Sequence, residues 1–286
     1  MTSIVSSLTV AHLTIGASPL QNIEAAAAAG FGAVGLRICG RRVGDAFPAP
    51  VVGVPRAARE LRARAADLGI RLSNVSGYQF YPDVTLDQVA PVVEATAALG
   101  MPIIVANGFD PDLDRFTELF ARYCELASKS GVRVALEFLP YSGVRTLTDA
   151  MRVVDQSGMG NAGLLLDALH LERSGGSPAD IASIPASRIV FAQLCDGPTW
   201  HGAKTDEALL AEARGARLPA GTGVLPLFDY LDALPPGCEI EYEVARGDMM
   251  DRPAVDKARA AAADVERFMA RYGLERQSRT VGGARA

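Results

Sequence analysis

Short apolar runs alternate with longer segments of helical spacing along nearly the whole chain. The apolar runs have the length of buried strands, and the segments between them predict amphipathic helices. The predicted strands cover residues 8–15, 33–38, 70–75, 102–106, 132–138, 162–167, 188–194 and 238–244. The predicted helices cover residues 19–30, 54–68, 86–99, 113–128, 147–156, 178–184, 225–234 and 253–272. Eight strand–helix repeats favour a closed parallel barrel over an open sheet.

The repeats leave no break that would mark a domain boundary. We therefore predict an α/β fold, a single (β/α)8 TIM barrel over residues 1–275, with a Gly-, Arg- and Ser-rich disordered tail at 276–286. An open doubly wound sheet would place a Gly-rich phosphate turn after its first strand. The sequence at that point, Gly-Ala-Ser-Pro from Gly16, does not match such a turn.

The composition limits the classes of molecule that the protein is expected to bind. The net charge of −5 argues against nucleic acid as a partner, because nucleic-acid binders carry a basic excess. The four cysteines are far apart and predict reduced thiols. The N-terminus lacks a signal-peptide pattern, and no apolar run reaches the ~18 residues of a membrane span. We expect a soluble, cytoplasmic protein that acts on a small molecule, away from membranes, and that could form a homo-oligomer.

Polar side chains stand where the later strands end. Strand five ends at Glu137, strand six runs through three leucines to Asp167, and strand seven carries Gln193 near its end. The carboxyl ends of barrel strands form one face, on which the active sites of TIM barrels lie. Burying such groups unpaired is costly, so several oxygen donors at one face indicate a site for a divalent cation.

Strand eight offers more than one acid for the same site. Glu239, Glu241 and Glu243 alternate with apolar residues, so all three point to one face. Glu243 is nearest the carboxyl end and is the preferred fourth ligand. Glu241 remains the alternative.

Four sequence motifs resemble one known family. They are Ala135-Leu136-Glu137, the run Leu-Leu-Leu-Asp-x-x-His-x-x-Arg-Ser-Gly-Gly from Leu164, the stretch Ala192–Pro198, and the stretch Arg217–Gly223. The family is that of the xylose isomerase-like TIM barrels, which include sugar phosphate isomerases and epimerases. The resemblance covers about residues 8 to 273.

The resemblance implies a ligand set for one metal ion. In this family a Glu, an Asp, a His or Gln, and a second Glu come from successive strands. Carried over to this sequence, they are Glu137, Asp167, Gln193 and Glu243. Many members have His in place of Gln193, and an amide oxygen favours Mn²⁺ or Mg²⁺ over Zn²⁺. The family's Gly-Glu-Gly is Gly-Thr-Gly here, with Thr222 in place of the acid.

Further candidates lie just beyond strand ends or in the long loop after strand seven. Possible substrate-binding residues are His170, Arg217, His201, Trp200, Arg37 and Tyr78. His170 could instead transfer protons, and Asp196 more readily orients a ligand or supports a loop than binds the metal.

The resemblance implies enolisation chemistry on a ketose-like hydroxy-ketone. Glu137 and Glu243 would act as the acid/base pair, and an enediolate would be the intermediate. Isomerisation and epimerisation are the leading outcomes, and dehydration on the same scaffold is the alternative. A non-catalytic binding barrel stays open, whereas a repair endonuclease needs more than the three histidines present. The basic residues look scattered, so the sequence gives no support for a phosphate on the substrate.

Overall fold

The computed structural model describes residues 3–283, and the side chains of residues 3–276. Eight parallel strands follow one another in chain order and close into a barrel through pairing of the last with the first. The strands are β1 Thr9–Val10, β2 Ala33–Arg37, β3 Arg71–Phe80, β4 Ile103–Gly108, β5 Arg133–Glu137, β6 Ala162–Asp167, β7 Ile189–Leu194 and β8 Ile240–Tyr242. The predicted (β/α)8 barrel is confirmed.

The α-helices lie between the strands. They are α1 His12–Ile15, α2 Pro19–Ala28, α3 Pro55–Asp67, α4 Leu86–Leu99, α5 Leu113–Ser128, α6 Leu147–Gln156, α7 Ala168–Arg173, α8 Pro178–Ile181, α9 Asp206–Gly215, α10 Leu227–Ala233 and α11 Ala254–Gly283. Side-chain caps set where several of them begin, as Ser18, Asp112 and Thr146 accept the backbone N–H three residues on. Among the described helices, none is long and apolar enough to cross a membrane.

Four elements differ from the sequence prediction. The first strand has only two residues, because the chain turns at Ala11 into the short helix α1, which ends at Gly16 with φ 62°. The loop after β7 contains the helix α9, and α7 follows β6 without a break. The last helix continues to Gly283, past its predicted end at Tyr272 and into the predicted tail. The end of that tail, residues 284–286, lies outside the described residues.

An apolar layer fills the interior below the carboxyl ends of the strands. Ile103, Val105, Ala135, Leu165 and Phe191 belong to one buried cluster. By strand alternation they share the inward face with the polar side chains that follow them toward the carboxyl ends. The barrel is therefore packed below and polar only at its mouth, as TIM barrels are.

The strand register places the polar residues at one level. Asp167 pairs with Gln193, and Gln193 pairs with Glu241 on β8. Gly35 on β2 makes room beside them, since a Cβ at that position would lie 2.3 Å from Glu241 Oε1. A side chain there would displace the glutamate.

Candidate active site

Three carboxylates lie at the carboxyl ends of the strands, two of them buried and that of Glu137 partly exposed. Glu137 ends β5, Asp167 ends β6, and Glu243 follows β8. Glu137 Oε2 accepts a hydrogen bond from Asn107 at 2.7 Å, and its Oε1 lies 3.8 Å from His170 Nε2. Glu137 and Glu243 line the same pocket.

Both oxygens of Asp167 accept hydrogen bonds from other parts of the protein. Its Oδ1 accepts the backbone N–H of His170 at 2.9 Å and so caps helix α7. Its Oδ2 accepts from Arg217 at 2.6 Å. The cap fixes the start of α7 and places His170, buried, beside the carboxylates.

Arg217 joins two of the predicted ligands. Its two terminal nitrogens lie 2.6 Å from Asp167 and 3.0 Å from Glu243, and its Nε donates to the Ala213 carbonyl at 2.9 Å. The side chain is buried and lines the pocket. The sequence analysis predicted that Arg217 contacts substrate, and the structure shows that it pairs with Asp167 and Glu243.

Asp196 holds the loop that carries Arg217. Its carboxylate accepts the backbone N–H groups of Gly197, Gly221, Gly223 and Leu225. Such a buried, fully bonded carboxylate is a support for backbone, as the sequence suggested. Thr222, at the position of the family's acid, is exposed and bonds to the Pro219 carbonyl.

Gln193 is held so that its oxygen is free. Its Nε2 donates to Glu241 Oε2 at 2.7 Å, and Asn74 donates to the other oxygen of Glu241 at 2.8 Å. The buried Oε1 of Gln193 has no hydrogen-bond partner among the described residues. A buried amide oxygen normally has a partner, so this atom indicates a ligand that bonds to oxygen. Glu243 lines the pocket and Glu241 does not, so Glu243 remains the preferred fourth ligand.

The donor set fits a divalent cation. Ligand atoms of Glu137, Asp167 and His170 lie within 4.8 Å of one another. Carboxylate oxygens and a free amide oxygen are donors that Mg²⁺ and Mn²⁺ prefer, and the neutral imidazole adds a further possible donor. This group contains two of the four predicted ligands, Glu137 and Asp167, and adds His170.

The crowded acids perturb one another. Burial, together with Glu243 and Asp167, raises the pKa of Glu137 to about 8. Burial also raises the pKa of Glu243. Burial opposes ionisation of Asp167 too, but Arg217 and the His170 imidazole and N–H outweigh it and lower that pKa. Burial lowers the pKa of His170 to about 4, so its imidazole is neutral at pH 7.

His12 is a pocket residue that the sequence reasoning missed. It accepts a hydrogen bond from Arg37 Nε on its Nε2 at 3.3 Å, and its Nδ1 lies 3.4 Å from Ser76 Oγ. Burial, followed by Arg37 and Arg41, lowers its pKa well below the usual value. The sequence analysis placed His12 inside a predicted strand over residues 8–15 and did not consider it as a site residue. Its position close after the carboxyl end of β1 could have identified it.

Of the remaining predicted substrate-binding residues, only Arg37 lines the pocket. His201 is exposed, and Trp200 donates to the Gly202 carbonyl and lies against Arg173. Tyr78 hydrogen-bonds with Cys39. The structure thus places Trp200, His201 and Tyr78 outside the pocket.

The barrel and the acids at its mouth define the class of protein. The family model described as xylose isomerase-like TIM barrel matches residues 23–272. The chain belongs to this family, as its motifs indicated.

Two curated relatives show how varied the chemistry of related proteins is. A 3-dehydroshikimate dehydratase of Pseudomonas aeruginosa is 24% identical over 213 residues, which are 66% of this chain and 30% of that protein. An inosose isomerase of Halalkalibacterium halodurans is 29% identical over 136 residues, 44% of this chain and 48% of that protein. The matches therefore span less than half the length of either relative.

Solved structures agree on the fold. A structure of IOLI protein with a bound zinc atom has a TM-score of 0.76 at 17% identity, covering 93% of this chain and 98% of that one. A D-tagatose 3-epimerase-like protein has a TM-score of 0.66 at 17% identity, covering 92% and 98%. At these identities the likeness concerns the barrel alone.

Proposed function

We propose that this protein is a divalent-metal-dependent enzyme that isomerises or epimerises a ketose-like hydroxy-ketone by moving a proton on a carbon next to the carbonyl. The observation that carries the proposal is the free, buried oxygen of Gln193 in the same pocket as the carboxylates of Glu137 and Glu243. A barrel that only packed well would not leave that oxygen unpaired or bury those acids together. The inosose isomerase among the relatives supports this reading.

The metal would be held by Glu137, Asp167, Gln193 and Glu243, with Mn²⁺ or Mg²⁺ as the expected ion. When bound, such a cation polarises the substrate carbonyl and acidifies the neighbouring C–H. Gln193 keeps its oxygen toward the ion because Glu241 accepts from its amide nitrogen. Zinc, which is bound in the IOLI protein structure, is the natural comparison metal.

Glu137 and Glu243 are the proton carriers. Glu243 is close enough to Glu137 to raise its pKa, and both side chains line the pocket. One carboxylate removes the proton, and the same or the other one returns it to the substrate. Arg217 keeps Glu243 and Asp167 in place while charge moves. Return to the opposite face epimerises, and return to the adjacent carbon isomerises.

Dehydration is the second candidate. It begins with the same proton removal, and loss of a β-hydroxyl follows. The 3-dehydroshikimate dehydratases among the relatives favour it. The proton-carrying residues are the same for both reactions, so the product distinguishes them.

Proton exchange with solvent tests the proposal. The Mn²⁺-loaded protein is incubated in D₂O with inosose, tagatose or 3-dehydroshikimate, and deuterium uptake and products are followed by NMR. We expect exchange with at least one compound and loss of exchange in Glu137→Gln and Glu243→Gln. Glu239→Gln, an acid at the other end of the barrel, is the matched control. Metal binding without exchange in any compound would contradict catalysis and favour a binding barrel.

A further inference from the structure

Three arginines that are distant in sequence line the same pocket as the carboxylates. Arg37 ends β2, Arg41 lies in the loop after it, and Arg214 lies on α9. The sequence made the basic residues look scattered, and the fold brings these three together. The pocket therefore has a cationic part as well as an acidic one.

These arginines lack carboxylate partners. Among the described residues, no acid lies within 4.0 Å of the guanidinium of Arg37, Arg41 or Arg214, whereas Arg217 pairs with two. Arg37 donates to His12 and to the carbonyls of Gly40 and Gly77. Its hydrogen-bond partners fix its position without forming an ion pair.

The same side chains oppose one another electrostatically. Burial, then Arg41, lowers the pKa of Arg37 to about 10. Burial, then Arg214, lowers the pKa of Arg41. Asp45, the nearest acid on this loop, bonds to the Arg42 backbone N–H and stays outside ion-pair distance of Arg41. Glu243 acts in the opposite direction on the pKa of both arginines, but burial and like charge outweigh it and both pKa values stay lowered. An anion bound between the arginines would relieve the repulsion that remains.

A count of the charges at the mouth of the barrel also indicates an excess of positive charge on the arginines. Glu137 and Glu243 line the pocket, whereas Asp167 and Glu241 do not belong to its lining. With a divalent cation bound and all four carboxylates ionised, their charges would face that cation and Arg217. A fourth positive charge, that of Arg37, makes the balance neutral. Arg41 and Arg214 then remain as excess positive charge, which a neutral sugar would not compensate.

We propose that Arg37, Arg41 and Arg214 form a subsite for an anionic oxygen group of the substrate, a carboxylate or a phosphate, so that the enzyme takes an acidic hydroxy-ketone. The inference rests on the proposed function and specifies its substrate class. Guanidinium groups recognise both anions through paired N–H donors. His12, neutral and hydrogen-bonded to Arg37, orients that side chain and adds no charge of its own.

Equilibrium binding tests the subsite without turnover. Shikimate and methyl shikimate form one pair of ligands, and sorbitol 6-phosphate and sorbitol form the other. None of the four has a ketone. Each is titrated calorimetrically into the full-length, Mn²⁺-loaded protein. We expect the charged member of one pair to bind at least about tenfold more tightly than its neutral partner. The pair that shows the preference identifies the anionic group.

The variants Arg41→Gln and Arg214→Gln should each reduce this preference several-fold. Arg42→Gln is the matched control, because Arg42 is exposed and stacks on Tyr81 outside the pocket. Equal binding of charged and neutral ligands, a preference that survives both variants, or failure of both charged ligands to bind would overturn the subsite. Anion preference without proton exchange would instead refute the proposed function and leave the subsite standing.

Discussion

Glutamates at the two ends of the barrel have pKa values that are shifted in opposite directions. Glu239, at the amino end of β8, accepts hydrogen bonds from Thr9 and Ser73 and pairs with Arg71. Burial alone would raise its pKa, but these three partners outweigh burial and lower it. At the mouth, burial and neighbouring acids raise the pKa of Glu137 to about 8.

The comparison separates stabilising acids from functional ones on a shared inward face. An acid whose oxygens are satisfied by hydroxyl and guanidinium donors stabilises the fold. Acids that crowd around an unpaired amide oxygen cost stability unless a cation binds among them. The acid at the amino end of the barrel therefore finds its partners within the protein, whereas the acids at the mouth need a bound ligand to complete theirs.

The largest expected effect comes from removing an acid at the mouth. Glu137→Gln and Glu243→Gln should each lower the rate of proton exchange at least about a hundredfold, because the proton carrier is lost. Glu239→Gln should leave the rate within a few-fold and lower the free energy of unfolding. Rates are measured by deuterium uptake and stability by urea unfolding. An equal loss of rate in all three variants would contradict the claim that the acids at the mouth are functional and that Glu239 only stabilises the fold.

The next effect concerns the residue that orients Gln193. In Glu241→Gln the new amide could donate to the Gln193 oxygen and turn it away from the cation. We expect Mn²⁺ affinity to fall about tenfold or more, as is typical when a group that orients a metal ligand is changed. Calorimetric titration measures the affinity, and Glu239→Gln again serves as the control. Unchanged affinity would show that Gln193 is not held by Glu241 for metal binding.

The sequence predicts those features of the fold and the site that follow from local patterns along the chain. The repeat of apolar strands predicted the barrel, and strand ends predicted Glu137, Asp167 and Gln193 as neighbours. The free oxygen of Gln193 depends on the β7–β8 register, which the sequence does not display. Arg41 and Arg214 come from a loop and a helix far apart in the chain, so only the closed fold brings them together.

The pH dependence of stability should reverse between the two ends. A raised carboxyl pKa means that the folded state binds more protons, so stability falls as pH rises from the unfolded value of about 4.5 toward about 8. The metal-free protein should lose up to about 1.4 kcal/mol per pH unit for each such group. Glu137→Gln should flatten this slope. A slope that is unchanged in the variant would contradict the assignment.

For Glu239 the sign is opposite. Its pKa is lowered by folding, so its contribution is present above the unfolded value and is lost as pH falls through the folded value. Unfolding curves of Glu239→Gln and the parent protein should therefore converge at acidic pH. A difference that persisted at low pH would have to come from packing.

The smallest effect is expected at the loop after β7. His201 is exposed and Trp200 packs on Arg173, so His201→Ala should change kcat/KM less than about threefold. Steady-state kinetics with the identified substrate provide the measurement, and His170→Ala is the contrasting variant. A large loss in His201→Ala would mean that the loop closes over the substrate.

The most direct test of the central claim is a calorimetric titration of Mn²⁺ into protein stripped of metal. The account predicts one site per chain, abolished in Glu243→Gln and retained in Glu239→Gln. Absence of binding in the parent protein, or equal binding in both variants, would contradict a metal site at the mouth of the barrel.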